Sequence, residues 1–364
     1  MQKNKLNWKI LFLLYLITRI GIILVLQGSW GGTNMLCYTV DCKFWWNNAR
    51  QVVESKNPYV VWRDAGGFET DISKRADNLP VFFLIISAFT WIWKDIWSVF
   101  LLFFVFDAIN IYLIYKLTNN KLGVLMYIIA PTILRGLFFP EDELLVTFAL
   151  ASIYFFKNKR YTLSTISLVL WFNMDFYPIL FFPLILMNLD TLKMKIRQSM
   201  VFLTALVISH IPYFPEWIMA YQYRIFHFAL EGGGFGIWEI LPSNTYYLPV
   251  ILAAIGIFYI LAYKNKFDLS AGYFIGSLIF LSLFPKFSID HLIVLIPLFL
   301  VWTKYTKITM VFWIIVAAGV CLEFLGLPSI GLISEVHREI IRVLIIIGFY
   351  LMLLAIKNGN RKPK

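Results

Sequence analysis

Charge is what this sequence has least of. Asp, Glu, Lys and Arg make up 15 % of its 364 residues, where a soluble domain carries about 25 %. Low charge combined with 60 % hydrophobic residues and a mean hydropathy of +0.74 excludes a soluble globular enzyme and a disordered chain. Cysteine and histidine are also scarce, with three and four residues. Cys37, Cys42 and Cys321 form no metal or redox motif, and a Cys37–Cys42 bridge is open to an oxidising compartment without being required. His210 and His227 stand alone. With no H-x-x-x-H and no acidic metal cluster, no metal ligands are assigned and a divalent-metal requirement is unsupported. Gly232-Gly-Gly-Phe-Gly236 lacks both a preceding strand pattern and a Walker lysine, so it reads as a flexible loop rather than a phosphate cradle.

What the chain has is apolar runs. One bilayer crossing takes about 20 helical residues. The first run, 10–26, follows Lys3, Lys5 and Lys9 as the core of a signal peptide would. It is too long for one, and Gln27-Gly-Ser-Trp30 offers no cleavage site, so it is expected to be a retained span. Further runs lie at 97–116, 122–139, 143–156, 161–174, 176–188, 199–214, 245–263, 270–285, 289–303, 306–325 and 338–356. The expectation is an all-α polytopic membrane protein of about 12 transmembrane helices, forming a single integral domain over 1–364. Several runs are shorter than a span and must be discontinuous or surrounded by protein. The runs at 161–188 and 270–303 are pairs of halves, with polar tips at Asn173–Asp175 and Lys286–His291.

The stretch 79–93 decides the topology. If it lies in the membrane interface, the basic clusters at Lys116/Lys121, Lys157–Arg160, Lys193–Arg197, Lys264/Lys266, Lys304/Lys307 and Lys357–Lys364 all share the side of the N-terminus. If it spans, they flip outside, against the positive-inside rule. The expectation is therefore an interfacial 79–93, both termini cytoplasmic, and external loops at 27–96 and 215–244. Nineteen of the 32 Lys and Arg, but only Asp190 and Asp268 of the 21 acids, fall in the predicted cytoplasmic segments. The net charge of +11 thus records membrane orientation and not a nucleic-acid partner.

The external side collects the acids. Asp41 follows the first span, and Phe44, Asn48 and Val52 recur behind it at helical spacing. A carboxylate at that depth suits a general base acting on a substrate head at the membrane surface. The bland alternative is a solvated loop aspartate. Glu141-Asp142-Glu143 follows Arg135-Gly136 at a helix junction, where one acid would cap the next helix and the others are free to hold substrate hydroxyls. Asp175, Asp290 and His291 occupy tips, and Lys74, Arg75, Arg224 and Lys286 are external cations suited to phosphate or to lipid headgroups. Arg19 and Asp107 lie inside predicted spans and are expected to form a buried ion pair.

This order of features resembles the GT-C membrane glycosyltransferases, and within them the catalytic subunit of GPI mannosyltransferase I and the related polyprenyl-phosphate-mannose transferases. The resemblance runs over about residues 8–300. The family's Asp-x-Asp-Tyr and later Pro-Tyr correspond to Thr39-Val-Asp41-Cys42 and Asn57-Pro-Tyr59. Its Arg-Tyr-Thr-Pro step resembles Lys74-Arg75 before Pro80, and its Arg-Gly with a following acid resembles Arg135-Gly136 with Glu141 or Asp142. Its His-x-Lys-x-Tyr-Pro resembles Asn173-Met-Asp175-Phe-Tyr177-Pro178, with Asp175 in the lysine's place, and a later lysine-bearing tip resembles Lys286 to His291 before Pro297. The resemblance implies a hexosyltransferase, with mannose the expected sugar, a polyprenyl-phosphate donor, a lipid or glycan acceptor and inversion at the anomeric carbon. Asp41 is then the catalytic base. Arg75, Arg135, Glu141, Asp142, Asp175, Tyr177, Lys286, Asp290 and His291 are then the substrate-binding residues. A transporter or flippase, or a non-catalytic subunit of a glycosylation complex, is the competing reading.

Overall fold

The computed structural model describes residues 7–27, 40–67, 76, 78–95, 97–129, 140–175, 177–222, 247–283 and 292–303. These residues are mostly helical, joined by turns, with no strand among them. The helices are α1 (Trp8–Gln27), α2 (Val40–Val53), α3 (Pro58–Asp64), α4 (Pro80–Ile92), α5 (Trp97–Thr118), α6 (Lys121–Ile128) and α7 (Pro140–Lys157). They continue as α8 (Tyr161–Met174), α9 (Phe182–Met187), α10 (Leu192–His210), α11 (Ile218–Gln222), α12 (Tyr247–Asn265), α13 (Leu269–Leu283) and α14 (Leu292–Thr303). A 3₁₀ turn, Tyr177–Phe181, joins α8 to α9. Among the described residues, α5 alone is by itself long and apolar enough to cross a bilayer.

Proline writes many of the boundaries. Pro58 and Pro80 occupy the first turns of α3 and α4, where a missing N–H costs nothing, and Asn57 caps α3 by accepting from the Tyr59 amide. Pro178 and Pro183 flank the break between α8 and α9. The apolar run at 122–139, expected as one span, is helical only over Lys121–Ile128 among its described residues. Pro131 accounts for the early stop, because the residues before a proline are pushed out of helical geometry.

The described helices pack around one aromatic-rich core. α1 and α5 are antiparallel: Trp8 meets Tyr115 and Arg19 meets Asp107. α7 and α8 form a hairpin, tied by Ser152 and Ser164 and by the Tyr273 hydroxyl of α13, 2.8 Å from Ser152 Oγ. α8 and α10 run in the same direction, with Thr165 bonded to Gln198 at one level and Asn173 to Ser209 at another. Gly276 of α13 lets Phe181 and Phe258 approach closely, since a Cβ there would meet Phe181 Cε1 at 2.5 Å.

These contacts sort the turns to two ends. The 157–160 turn, the start of α10 and the 265–268 turn share one end: Asn188 Nδ2 donates to the Phe267 carbonyl, and α14 finishes there with Trp302 stacked on Phe274. At the opposite end lie the start of α7, Asp175 at the C-cap of α8, and the end of α10. α2, α3 and α4, which make up much of the predicted first external loop, pack together, and Tyr59 of α3 approaches Tyr213 beyond α10 (ring centroids 5.9 Å).

Candidate functional site

The interior where α1, α5, α6 and α7 meet is polar. Arg19 is 1 % exposed and Asp107 fully buried. The guanidinium forks onto the carboxylate through Nε–Oδ2 at 2.9 Å and Nη2–Oδ1 at 3.1 Å. Its Nη1 donates at 2.7 Å to the carbonyl of Ile128, the last residue of α6. A helix end leaves carbonyls without intrahelical partners, and an unpaired one in an apolar interior is costly. Arg19 therefore does two things, satisfying Asp107 and capping a helix that stops inside the protein. The expected Arg19–Asp107 pair is present.

Next to it lies a residue that sequence reasoning placed only within an acidic run. Glu143, in the first turn of α7, is fully buried. Its Oε2 accepts from the Tyr127 hydroxyl at 2.8 Å and from Asn110 Nδ2 at 2.6 Å. Thr147 donates to Asn110 Oδ1 at 2.6 Å and completes the cluster. Among the described residues, Glu143 Oε1 has no hydrogen-bond partner. The signal was the spacing Glu143, Thr147, Leu150, an i, i+4, i+7 stripe that turns inward as one face.

The other expected site residues are distributed as follows. Asp41 is the second residue of α2, and Glu141 and Asp142 are in the first turn of α7. Asp175 caps α8 in extended geometry, its amide donating to the Trp171 carbonyl. Tyr177 is buried in the core, stacked on Phe280 at 4.7 Å and edge-on to Trp171. Its ring supports the break in the chain. Arg75, Arg135, Lys286, Asp290 and His291 lie outside the described residues, as does Cys37. No group of three or more potential metal ligands occurs among the described residues.

At the Asp175 end, His210 Nδ1 donates to the Leu206 carbonyl at 2.7 Å, and Nε2 accepts from the Tyr221 hydroxyl at 2.9 Å. Trp217 donates to the His210 carbonyl. His210 and Tyr221 border an open cleft of about 900 Å³ whose other walls, among them Val207, Ile211 and Phe214, are apolar. Burial raises the pKa of Tyr221, so its hydroxyl keeps its proton.

Compared with family models and with curated proteins, the sequence matches none significantly.

Proposed function

We propose that the protein is a multi-pass membrane glycosyltransferase of GT-C type, moving a hexose from a polyprenyl-phosphate donor to a lipid- or glycan-linked acceptor. The observation that carries this reading is the opposition of the two ends of the bundle. Lys157–Arg160, Lys193–Arg197 and Lys264–Lys266 belong to turns at one end. Glu141, Asp142 and Asp175 belong to the other, where the α2–α4 segment also approaches. Basic turns gathered on one side are what the positive-inside rule produces in a polytopic protein; the α5–α6 turn with Lys116 and Lys121 departs from the expected pattern, because Asn110 and Phe106 of α5 bond Glu143 and Thr147 of α7 in antiparallel order and so place that turn at the acidic end.

The surface supports membrane embedding. Past the basic residues of its first turns, Lys193, Lys195 and Arg197, α10 exposes Met200, Leu203, Val207 and Ile208. α1 exposes Phe12, Leu13, Ile17 and Ile20, and α12 exposes Leu252, Ile257 and Ile260. So much uncovered apolar surface is foreign to a soluble monomer.

In this reading the acceptor hydroxyl attacks the anomeric carbon in line while Asp41 takes its proton. The bond from that carbon to the phosphate oxygen breaks, and its electron pair leaves with the polyprenyl phosphate. Arg75, Arg135 and Lys286 meet the developing charge. Glu141, Asp142, Asp175, Asp290 and His291 hold sugar hydroxyls, and the apolar cleft beside His210 offers walls for an isoprenoid chain. Asp41→Asn is expected to reduce transfer of radiolabelled hexose from polyprenyl phosphate by at least about 10²-fold while the protein stays folded in the membrane. Normal transfer by that variant removes Asp41 as the base.

One observation favours a transporter instead: α6 ends inside the bundle, as the broken helices of transporters do. Labelled sugar crossing sealed vesicles with no new glycosidic bond would establish that reading.

A further inference from the structure

We propose that Glu143 binds a proton inside the bundle, so that the interior it shares with Arg19 and Asp107 is a one-proton site. The proposal stands on that interior and needs neither the membrane reading nor the transfer reaction.

Two carboxyls and one guanidinium occupy this interior, none of them more than 1 % exposed. Arg19 donates to both oxygens of Asp107, to the Ile128 carbonyl and to the Thr18 hydroxyl, and to no atom of Glu143. Its charge is matched by Asp107. An ionised Glu143 would leave the interior with one uncompensated negative charge. An unpaired carboxylate in an apolar interior is so costly that the group takes up a proton instead.

The surrounding helices supply no second cation. α5, α8, α13 and α14 pack on α7. α8, α13 and α14 contain no charged residue, and α5 contains only Asp107 and Lys116. Lys116 lies against Tyr112, and Lys121 of α6 against Trp8, both exposed rings on the outer surface. Lys9 of α1 is exposed as well. α7 itself adds Glu141, Asp142 and, at its far end, Lys157. The remaining titratable neighbours are phenols that act as neutral donors, Tyr127 to Glu143 and Tyr15 to the Phe104 carbonyl.

The bonds to Glu143 are those of an acid rather than of a carboxylate. Oε2 accepts from Tyr127 and from Asn110, as a carbonyl oxygen does. Among the described residues Oε1 has no donor, so it is the oxygen left to carry the hydrogen. A carboxylate without a cation needs donors on both oxygens; a carboxylic acid needs them only on its carbonyl. The proton count is therefore tied to the arginine. While Arg19 faces Asp107 and caps α6, Glu143 holds the proton, and a movement that turned Arg19 onto Glu143 would release it.

The test is infrared spectroscopy of the full chain, purified in neutral detergent at neutral pH. Protonated carboxyls show a carbonyl stretch that carboxylates lack. The wild type is expected to show such a band, and growth on glutamate labelled with carbon-13 at its side-chain carboxyl should move it, which separates Glu143 from Asp107. Glu143→Gln should lose the band, by the area of one carboxyl, while its thermal midpoint stays close to wild type. Tyr127→Phe removes a donor from Oε2 and should raise the frequency of the band without abolishing it; a carboxyl elsewhere would not respond. The proposal is overturned if the labelled wild type shows no protonated glutamate band, an outcome that requires no variant to fold. An undiminished band in Glu143→Gln, or an unchanged frequency in Tyr127→Phe, also overturns it. Absence of sugar transfer would alter none of these spectra and counts only against the transfer reaction.

Discussion

Asp107 and Glu143 are acids of the same polar interior, and they are treated in opposite ways. Asp107 receives a fork of two charge-assisted bonds from Arg19. Glu143 receives two bonds from neutral groups, both on one oxygen, and its other oxygen has no partner. Asp107 is thus compensated by charge and geometry, Glu143 by hydrogen bonding alone. A compensated ion pair is hard to break and easy to replace as a whole, because its desolvation cost nearly cancels its attraction. A carboxyl held by neutral donors should be easy to replace with its amide, since the amide accepts the same bonds without a charge.

The largest effect should come from breaking the pair. Asp107→Ala is expected to cost about 3–5 kcal/mol, read as a large drop in thermal midpoint in detergent, because Arg19 is left buried and uncompensated. Arg19→Met/Asp107→Leu should recover most of that loss. A double variant as unstable as the single one would mean that capping Ile128, and not pairing with Asp107, is the main work of Arg19. An effect of intermediate size is expected from Gly276→Ala. The added methyl must displace the Phe181 ring, at roughly 1–3 kcal/mol on the same midpoint. Glu143→Gln should do least, within about 1 kcal/mol of wild type. A loss from Glu143→Gln equal to that from Asp107→Ala would collapse the contrast between the two acids.

The contrast also marks what the sequence could reveal. Arg19 and Asp107 were legible as a pair because each is a lone charge within an apolar run, and two such charges have few ways to be satisfied. α8 was legible to its ends, since its expected run of 161–174 is its observed range. The helix behind Asp41 was legible from its spacing and is α2. Glu143 was hidden because three consecutive acids read as a capping cluster, and consecutive residues on a helix point in different directions. Only Thr147 one turn on, and then Leu150, showed that the third acid faces inward. The early end of α6 was obscured by the unbroken hydrophobicity of 122–139, although Pro131 stood within it as a warning. Of the candidate site, Asp41, Glu141, Asp142, Asp175 and Tyr177 have described positions. Tyr177 shows the limit of motif reading: a tyrosine in a recognisable Tyr-Pro step is committed to the core by its stacking on Phe280.

That stacking belongs to a larger arrangement at the break between α8 and α9. Trp171, Tyr177, Phe181, Tyr273 and Phe280 interlock across it, with ring centres 4.7 to 5.9 Å apart. A chain interrupted by prolines would ordinarily be a joint, but five wedged rings make this one an elbow set in plaster. Whatever Asp175 touches must come to it, because the post on which it stands does not bend. For the proposed transfer reaction, a sugar hydroxyl held by Asp175 would be read at a fixed spacing, in the way a gauge accepts only parts cut to its gap.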